Sequence, residues 1–244
     1  MILTAHQPVY IPWLGLFHKI ALADLFCFFD DVQYEPKGWN NRNKIKFLGG
    51  ATNWLTVPVL KSGHREKSYL DIEINNALPW RRKHWKSIEL NYSGAPFFAL
   101  YKENLRHFYT QEWSRLADFN YQMLLFLLEA LGVSTQVIRM SDYSFRGTKS
   151  ALVLDMCVQL GADTYIFGSE GRNYAEVQDF YKEGVIPVFQ SYSHPNYPQF
   201  HGEFQSHLSV IDLLFNCGSD SLEILMSGNV DHQTLLSEFA PEKL

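Results

Sequence analysis

The sequence of 244 residues has few cysteines, only three, and they lie far apart in apolar segments at positions 27, 157 and 217. It contains no Cys-x-x-Cys pair, and its nine histidines form no His-Glu-x-x-His motif. Since zinc sites need such spacings, we expect no metal. We expect all three cysteines to be reduced core residues, which is typical of a cytoplasmic protein.

Long hydrophobic runs are also missing, and no stretch approaches the roughly 20 apolar residues that span a bilayer. The first apolar segment has no basic leader and is interrupted by His6, Gln7 and two prolines. We therefore predict neither a signal peptide nor a membrane span. The net charge of −5 argues against binding to a nucleic-acid polymer, but it allows a local basic pocket for a nucleotide.

Aromatic residues are plentiful, with 18 Phe, 13 Tyr and 6 Trp, and 46% of the sequence is hydrophobic. This composition excludes a disordered chain and supplies a large core. Because single α/β domains reach about 250 residues, we predict one domain over residues 1–244.

The order of apolar runs predicts parallel strands joined by helices. Residues 1–5 and 25–29 are typical of buried strands, and the helix between them, starting at Pro12, completes a βαβ unit. An Ala-Asp pair precedes the strand at 25–29 and recurs before a strand at 164–167. The pattern predicts an α/β fold with a Rossmann-like, doubly wound, mainly parallel sheet. Its other elements are strands at 136–139 and 185–189 and helices at 148–160 and 174–181.

A helical insertion interrupts this pattern at about residues 79–131, with helices at 79–92, 96–108 and 113–131. The polar residues 33–50 before it predict a long loop. The remaining predicted elements are a strand at 53–59, a weaker strand at 70–74, helices at 208–216 and 221–226, and a polar tail.

Ligands of open parallel sheets bind beyond the carboxyl ends of the strands. Four segments that follow predicted strands carry polar and aromatic side chains where a plain connection needs only Gly, Asn or Asp. We therefore expect the site to be formed by residues 6–13, 30–34 and 168–170 and by the segment from Gln190 onward.

His6 is the first catalytic candidate, because an imidazole titrates near neutral pH and can act as a base or bind phosphate. Gln7, Tyr10 and Trp13 lie beside it and before a helix N-terminus, which favours anions, so they are substrate-binding candidates. The alternative is a histidine that only hydrogen-bonds a backbone carbonyl group at the end of a strand.

Asp30 and Asp31 are the other catalytic candidates, since two adjacent carboxylates can orient a sugar hydroxyl group or bind a metal ion. Turn formation at the end of the strand is the alternative. Gln33 and Tyr34 follow on the same segment and are candidates for substrate binding.

Two clusters, residues 39–46 and 80–86, concentrate the positive charge. Arginine binds phosphate through paired hydrogen bonds and aromatic rings stack on bases or sugars, so both clusters can hold a nucleotide or a nucleotide-sugar. A solvated helix face is the alternative for the second cluster. The substrate-binding candidates in the two clusters are Asn41, Arg42, Arg81, Arg82 and His84.

Two turns that precede helices are candidate anion sites. Lys149 and Ser150 stand at the start of a helix, where free N–H groups favour phosphate, and simple N-capping is the alternative. Gly168, Ser169 and Glu170 follow a strand directly, and the glycine lets the backbone approach a ligand closely. A plain tight turn is the alternative there.

The segment that begins at Gln190 is rich in Tyr, Pro and His, which favours a pocket wall or lid over a simple connection. Gln190, His194 and Tyr197 are its substrate-binding candidates. Asp212 lies in an otherwise apolar helix, and we expect it to be buried and hydrogen-bonded in support of this segment.

Seven phrases of the sequence together resemble the WbqC-like family, and the resemblance runs from Met1 to about Gly218. They are H-Q-P-V-Y-I-P-W-L-G-L-F-H-K-I, D-D-V-Q-Y, W-x-N-R-N-K-I, W-L-T-V-P-V, K-H-W-K, L-G-A-D-T-Y and F-Q-S-Y-x-H-P-x-Y-x-Q. The resemblance implies a place in bacterial surface-polysaccharide gene clusters (O-antigen or capsule), where amino sugars are made and decorated, but it implies no defined reaction.

The sequence is also similar, more faintly, to pantoate–β-alanine ligases and other nucleotidylyltransferase-like folds. Residues 30–34 resemble the phrase after the second strand of those ligases, which would set Gln33 against a substrate, and residues 167–170 resemble their F-G-E-K phrase. Where they carry H-x-G-H, this sequence has Tyr10-Ile-Pro-Trp13. The similarity therefore implies the fold more than nucleotidyl transfer.

Together these features predict a transferase or ligase that modifies a nucleotide-activated amino sugar by acyl or aminoacyl transfer. ATP or an acyl-CoA is the candidate co-substrate, a nucleotide-sugar or nucleotide is the expected partner, and the aromatic surplus leaves room for a homo-oligomer. The alternative is a non-catalytic protein that binds a nucleotide-sugar or assembles a complex. In the first hypothesis His6 is the base or stabilises the transition state, and Asp30, Asp31 and Gln33 orient the acceptor. The residues that hold phosphates are Arg42, Arg81, Arg82 and Lys149.

Overall fold

The computed structural model describes residues 1–36 and 38–239. In chain order its strands and helices are β1 (Ile2–His6), α1 (Leu14–Ala21), β2 (Leu25–Phe28), β3 (Arg42–Lys46), β4 (Thr52–Thr56), α2 (Trp80–Tyr92), α3 (Phe98–Thr110), α4 (Leu116–Leu131), β5 (Gln136–Arg139), α5 (Ser150–Leu160), β6 (Thr164–Phe167), α6 (Val177–Lys182), β7 (Ile186–Phe189), α7 (Val210–Cys217), α8 (Ser221–Met226) and α9 (His232–Phe239).

Five of the strands form a parallel sheet in the order β5-β2-β1-β6-β7, and β3 pairs with β4 in a separate antiparallel hairpin. The central sheet is built outward from β1, first through β2 to β5 on one side and later through β6 to β7 on the other. The predicted Rossmann-like, mainly parallel α/β fold is therefore confirmed. The direction of winding reverses between β1 and β6, and such switch points open a crevice for ligands.

Helices cover both faces of the sheet, as the near-continuous apolar character of its strands requires. On one face Leu3 and Ala5 of β1 pack with side chains of α5 and α6. On the other face Phe26 and Phe28 of β2 pack with side chains of α1 and α4. Since neighbouring strand residues point to opposite faces, His6 lies on the face that α1 covers.

Helix α1 begins at Leu14, two residues later than the predicted start at Pro12. Trp13 has an extended backbone because it forms an isolated antiparallel bridge with Ser209. Its indole folds over Gly15, where an added Cβ would lie only 2.3 Å from a ring carbon. Gly15 is therefore required by this close approach.

Three predicted elements were wrong. Residues 33–50 are not all loop, because they contain β3, whose alternate residues Asn43 and Ile45 are buried while the others carry charge. Residues 70–74 form a short 3-10 turn and isolated bridges, not a strand. The polar tail contains α9, and Asp231 supports its start by accepting a hydrogen bond from the Thr234 N–H at 2.7 Å.

The helices α2, α3 and α4 occupy the range predicted for the insertion. Helix α4 leads into β5 and packs against the sheet, for example through Tyr121 on Phe28, so it also serves as the crossover between β2 and β5. One domain over residues 1–244 with an insertion at about 79–131 stays a prediction, and residues 37 and 240–244 lie outside the described residues.

The three cysteines are buried free thiols, as predicted. Within residues 1–36 and 38–239, no helix combines the length and the apolar character that crossing a bilayer demands.

Candidate functional site

The crevice between β1 and β6 is the centre of the candidate site. The strands pair with Thr4 opposite Ile166, and extending this register by two residues places Gly168 beside His6. A Cβ added to Gly168 would meet no atom within 4 Å, so there is open space above the end of β6. His6 and Gly168, both predicted site residues, therefore meet at the switch point of the sheet.

One ring nitrogen of His6 is hydrogen-bonded to the backbone, and the other nitrogen is available to accept a proton. Its Nδ1 lies 2.8 Å from the Gln7 carbonyl oxygen, which fixes the proton on Nδ1 and leaves a lone pair on Nε2. Burial, followed by the nearby charge of Lys19, lowers the pKa of His6 to about 4. His6 is therefore neutral at pH 7 and able to accept a proton through Nε2. The alternative role, a hydrogen bond to a backbone carbonyl group, is also observed, and this bond orients the imidazole ring.

Lys19 is a site residue that sequence reasoning missed. Its side chain is only 3% exposed, and its Nζ donates to the Ala5 carbonyl oxygen at 2.9 Å. Burial lowers the pKa of Lys19 to about 7. The available signal was its position within the apolar run of α1, where a lysine cannot reach solvent as easily as on an amphipathic helix.

The segment after β1 is held rigidly. Asn43 of the hairpin donates from Nδ2 to the carbonyl oxygens of Ile11 at 2.8 Å and Tyr10 at 3.3 Å. The Tyr10 N–H donates to the Trp39 carbonyl oxygen. Ile11 has a φ of +38°, a costly conformation for a β-branched residue that persists only where neighbours enforce it.

Tyr10 and His84 contact each other, but in the core and not in the crevice. The hydroxyl groups of Tyr109 and Tyr10 lie 2.7 Å apart, and Tyr10 Oη lies 2.9 Å from His84 Nδ1. His84 Nε2 reaches the Thr56 carbonyl oxygen, and burial lowers the pKa of His84 to about 4. The chain of hydrogen bonds joins the segment after β1 to α2 and β4, so both side chains serve the packing of the insertion.

Asp30 and Asp31 occupy different environments at the end of β2. Asp30 is fully buried, and its oxygens accept from Arg139 Nε at 2.6 Å and from the Ser141 N–H and hydroxyl at 3.0 Å. Arg139 also pairs with Asp118 at 2.9 Å. With its oxygens thus engaged, Asp30 holds β5 against β2. Asp31 is exposed to solvent.

Gln7 connects the crevice to a neighbouring groove. Its Oε1 accepts from the Tyr69 hydroxyl at 3.2 Å, and Tyr34 packs edge-on against Tyr69. Gln33 donates from Nε2 to the Arg65 carbonyl oxygen. The groove has a volume of about 580 Å³ and is lined by Gln33, Tyr34, Glu35, Pro36 and Arg65.

The four predicted phosphate-binding residues are not brought together. Arg42 lies on β3 with its guanidinium 4.6 Å from the ring centre of Trp54, and Asn41 is engaged with Val57 next to it. Arg81 and Arg82 lie on α2, where Arg81 pairs with Glu112 at 3.5 Å and Arg82 is exposed. Lys149 lies in the turn before α5, on the opposite side of the sheet from α1.

The turns after β5 and β6 reach the carboxyl edge. Lys149 is exposed there, with a φ of +51°. Ser150 is buried and accepts the Glu176 N–H, so it anchors the segment before α6. Ser169 and Glu170 are exposed beside Gly168, and Glu170 accepts from the side chain of Asn173.

The aromatic segment after β7 packs over the start of α1. Gln190 donates from Nε2 to the Gly15 carbonyl oxygen at 2.8 Å. Trp13 stacks on His207, which lies 5.0 Å from His194 between ring centres. Tyr197 donates to the buried Asp212 at 3.0 Å, as expected of a carboxylate that supports this segment.

Comparison with known proteins agrees with the sequence phrases. Residues 7–224 match the model of the WbqC-like protein family. The chain is also 33% identical over 221 residues, which is 90% of its length and 95% of the relative, to a Mycobacterium tuberculosis protein named "Uncharacterized protein Rv1507c". No solved structure matches the chain. The family match begins directly after His6 and includes Gly168 and the insertion, and the chain belongs to the WbqC-like protein family.

Proposed function

We propose that the protein is an enzyme of surface-polysaccharide assembly that transfers an acyl or aminoacyl group to the amine of a nucleotide-activated amino sugar. The observation that carries the proposal is His6, neutral at pH 7 and with Nε2 available, at the switch point of a Rossmann-like sheet. Membership of the WbqC-like family supports the polysaccharide context.

In the proposed reaction the sugar amine attacks the carbonyl carbon of an activated acyl group. This group is an acyl thioester, or an acyl adenylate that forms when a carboxylate attacks the α-phosphorus of ATP and pyrophosphate leaves. A C–N bond forms, and the bond from the carbonyl carbon to the leaving thiol or phosphate group breaks. His6 Nε2 accepts the proton that the amine loses and returns it to the leaving group, so that no net proton remains on the protein. Ser169 and Glu170, which are exposed and directly follow Gly168, are assigned to acceptor binding.

Without a ligand the pKa of His6 is about 4, and an anionic ligand should raise it toward the value that this role requires. The charge of Lys19 is one cause of the low pKa, so an anionic group that neutralises Lys19 raises the pKa of His6 toward the pH of the reaction. A base is most effective when its pKa lies near the working pH.

The test is an end-point assay by mass spectrometry. The protein is incubated with UDP- or dTDP-linked amino sugars and with acetyl-CoA, or with an amino acid and ATP. An acylated sugar nucleotide is expected, and His6→Gln should slow its formation by about 10²- to 10⁴-fold. Full turnover by His6→Gln would contradict the role of His6 as base.

A thermal-shift measurement with the same sugar nucleotides separates catalysis from binding. A ligand at about 100 times its dissociation constant adds roughly 2.7 kcal/mol of stability, which is easily detected. Stabilisation without turnover of any acyl donor would favour the non-catalytic binding protein instead. Glu103→Gln serves as a control, since Glu103 is exposed on α3, where it pairs with Arg106.

A further inference from the structure

We propose that Lys19 forms an anion subsite at the carboxyl end of β1, where its ammonium group takes a carboxylate or phosphoryl oxygen of the ligand. The proposal concerns binding, and it holds whether or not His6 acts as the base of an acyl transfer.

The first argument is the incomplete hydrogen bonding of Lys19. An ammonium group has three N–H donors, and in the described part of the chain Lys19 uses one of them, on the Ala5 carbonyl oxygen at 2.9 Å. No carboxylate among the described residues lies within ion-pair distance of its Nζ, although the side chain is only 3% exposed. Buried charges are ordinarily paired, so an ammonium group in this state calls for an anionic partner.

The second argument is the commitment of nearby carboxylates to other contacts. Asp24, which follows α1, accepts the Ile2 N–H at 2.7 Å at the opposite end of β1. Asp30, at the end of the neighbouring strand, is occupied by Arg139 and Ser141. Neither is therefore held in reserve as the counter-ion of Lys19.

The third argument is direction. Helical side chains point back toward the N-terminus of their helix, and the N-terminus of α1 lies at the carboxyl edge of the sheet because α1 follows β1. Lys19 accordingly reaches Ala5 near the carboxyl end of β1, on the face that carries His6. The open space over Gly168 lies next to this point. A ligand in the crevice can thus present an oxygen to both free N–H groups.

A charge titration of Lys19 tests the proposal directly. Lysines are labelled with ¹³C at the ε-carbon, and their NMR signals are followed from pH 5.5 to 10 in chloride, sulfate or acetate at equal ionic strength. Sulfate stands for a phosphoryl group and acetate for a carboxylate. Sulfate stays ionised over this whole range, and acetate is mostly ionised even at its lower end. Lys19 is expected to titrate near pH 7 in chloride.

Anion binding should raise that midpoint, because an anion favours the charged lysine. An anion at ten times its dissociation constant moves the midpoint by about one pH unit. A rise in sulfate alone identifies a phosphoryl subsite, and a rise in acetate alone identifies a carboxylate subsite. The proposal is overturned if the titration midpoint of Lys19 is the same in all three salts. It is also overturned if Lys19 titrates near the ordinary lysine value of 10.5 in chloride.

Two variants assign the signal. Lys19→Met should remove the resonance with the low midpoint and leave the other lysines unchanged. Lys44→Met is the matched control on the hairpin, where the lysine side chain lies over Trp54. Lys44→Met should leave the anion-dependent shift of the midpoint unchanged. If the shift disappeared in Lys44→Met, the signal would have been assigned to the wrong residue.

Discussion

Two of the lysines that the structure describes are almost completely buried, and their ammonium groups differ in the number of hydrogen-bond acceptors they contact. Lys46, 1% exposed, donates from Nζ to Gln199 Oε1 at 2.8 Å and to the Glu203 carbonyl oxygen at 2.6 Å. Burial lowers the pKa of Lys46, and the charge of Asp212 opposes that shift. Lys19, 3% exposed, has the Ala5 carbonyl oxygen as its acceptor.

The difference separates a structural charge from one kept ready for a ligand. Lys46 belongs to a cluster in which Tyr92 and Tyr197 donate to Asp212 at 2.7 and 3.0 Å, so each buried polar group has partners. Lys19 lies at the carboxyl edge of the sheet, and its environment lowers its pKa to about 7. Burying Lys19 thus stabilises the folded protein less than an apolar side chain at this position would. Such a loss of stability is common at functional sites.

The largest effect is expected for Lys46→Met. This substitution takes one donor from two part-buried acceptors, the Glu203 carbonyl oxygen and Gln199 Oε1, of which the second keeps the Gln205 N–H at 2.9 Å. It also removes the positive charge that acts on the buried Asp212. We expect a loss of about 3 kcal/mol in the free energy of unfolding. Urea denaturation at pH 7 measures it. A variant as stable as the wild type would show that Lys46 is as poorly partnered as Lys19.

Lys19→Met should have the opposite sign and stabilise the fold by about 2 kcal/mol at pH 6. The folded-state pKa of Lys19 is lowered from 10.5 to about 7, so the cost of burying the charge is complete below pH 7. That cost decreases as the pH rises from 7 to 10.5, and the advantage of the variant should shrink with it. Urea denaturation of both proteins from pH 6 to 10 checks this, and a difference independent of pH would contradict it.

Asp212 should show the pH dependence of a buried acid. Burial raises the pKa of Asp212 to about 6, so the folded state binds a proton that the unfolded state lacks between pH 6 and 3.8. The stability of the wild type relative to Asp212→Asn should therefore increase by about 1–2 kcal/mol as the pH falls from 7 to 4. Chemical denaturation at both pH values measures it. Both proteins contain His6, whose own titration cancels in the comparison.

The smallest effect is expected for Lys44→Met on the hairpin. Lys44 lies 5.0 Å from the ring centre of Trp54, and such cation–π contacts contribute about 0.5–1 kcal/mol at exposed sites. Its removal should lower the free energy of unfolding by no more than this, equally at pH 6 and pH 9. A larger or pH-dependent loss would place Lys44 among the buried charges.

The sheet was predictable because its strands are short apolar runs that end at polar residues, as at Ala5–His6 and Phe29–Asp30. The hairpin was predicted only in part. The strand predicted at 53–59 overlaps β4, but β3 reads R-N-K-I-K and its buried Asn43 looks like a loop residue in sequence. The role of that asparagine depends on the carbonyl groups of Ile11 and Tyr10, which lie more than 30 residues away along the chain.

For the candidate site, the sequence predicts where a residue lies only when that place follows from its position along a strand. His6 ends β1 and Gly168 follows β6 at the same edge of the sheet, so the strand pattern predicts that they lie close together. Lys19 was missed because a lysine on a helix is ordinarily solvated, and its burial results from tertiary packing. Arg42, the pair Arg81 and Arg82, and Lys149 are all basic but lie on three different elements, and composition alone does not reveal that separation.

The position of β1 at the centre of the sheet also has a consequence for synthesis of the chain. Thr4 hydrogen-bonds to Ile166, 162 residues later, so one edge of β1 has no partner until β6 has been made. At about 5–20 residues per second, a ribosome leaves that edge open for roughly 8–30 s. During this interval β1 and β2 expose an apolar strand edge that can pair with another nascent chain. Slower translation before residue 164 should therefore lower the yield of folded protein rather than improve it.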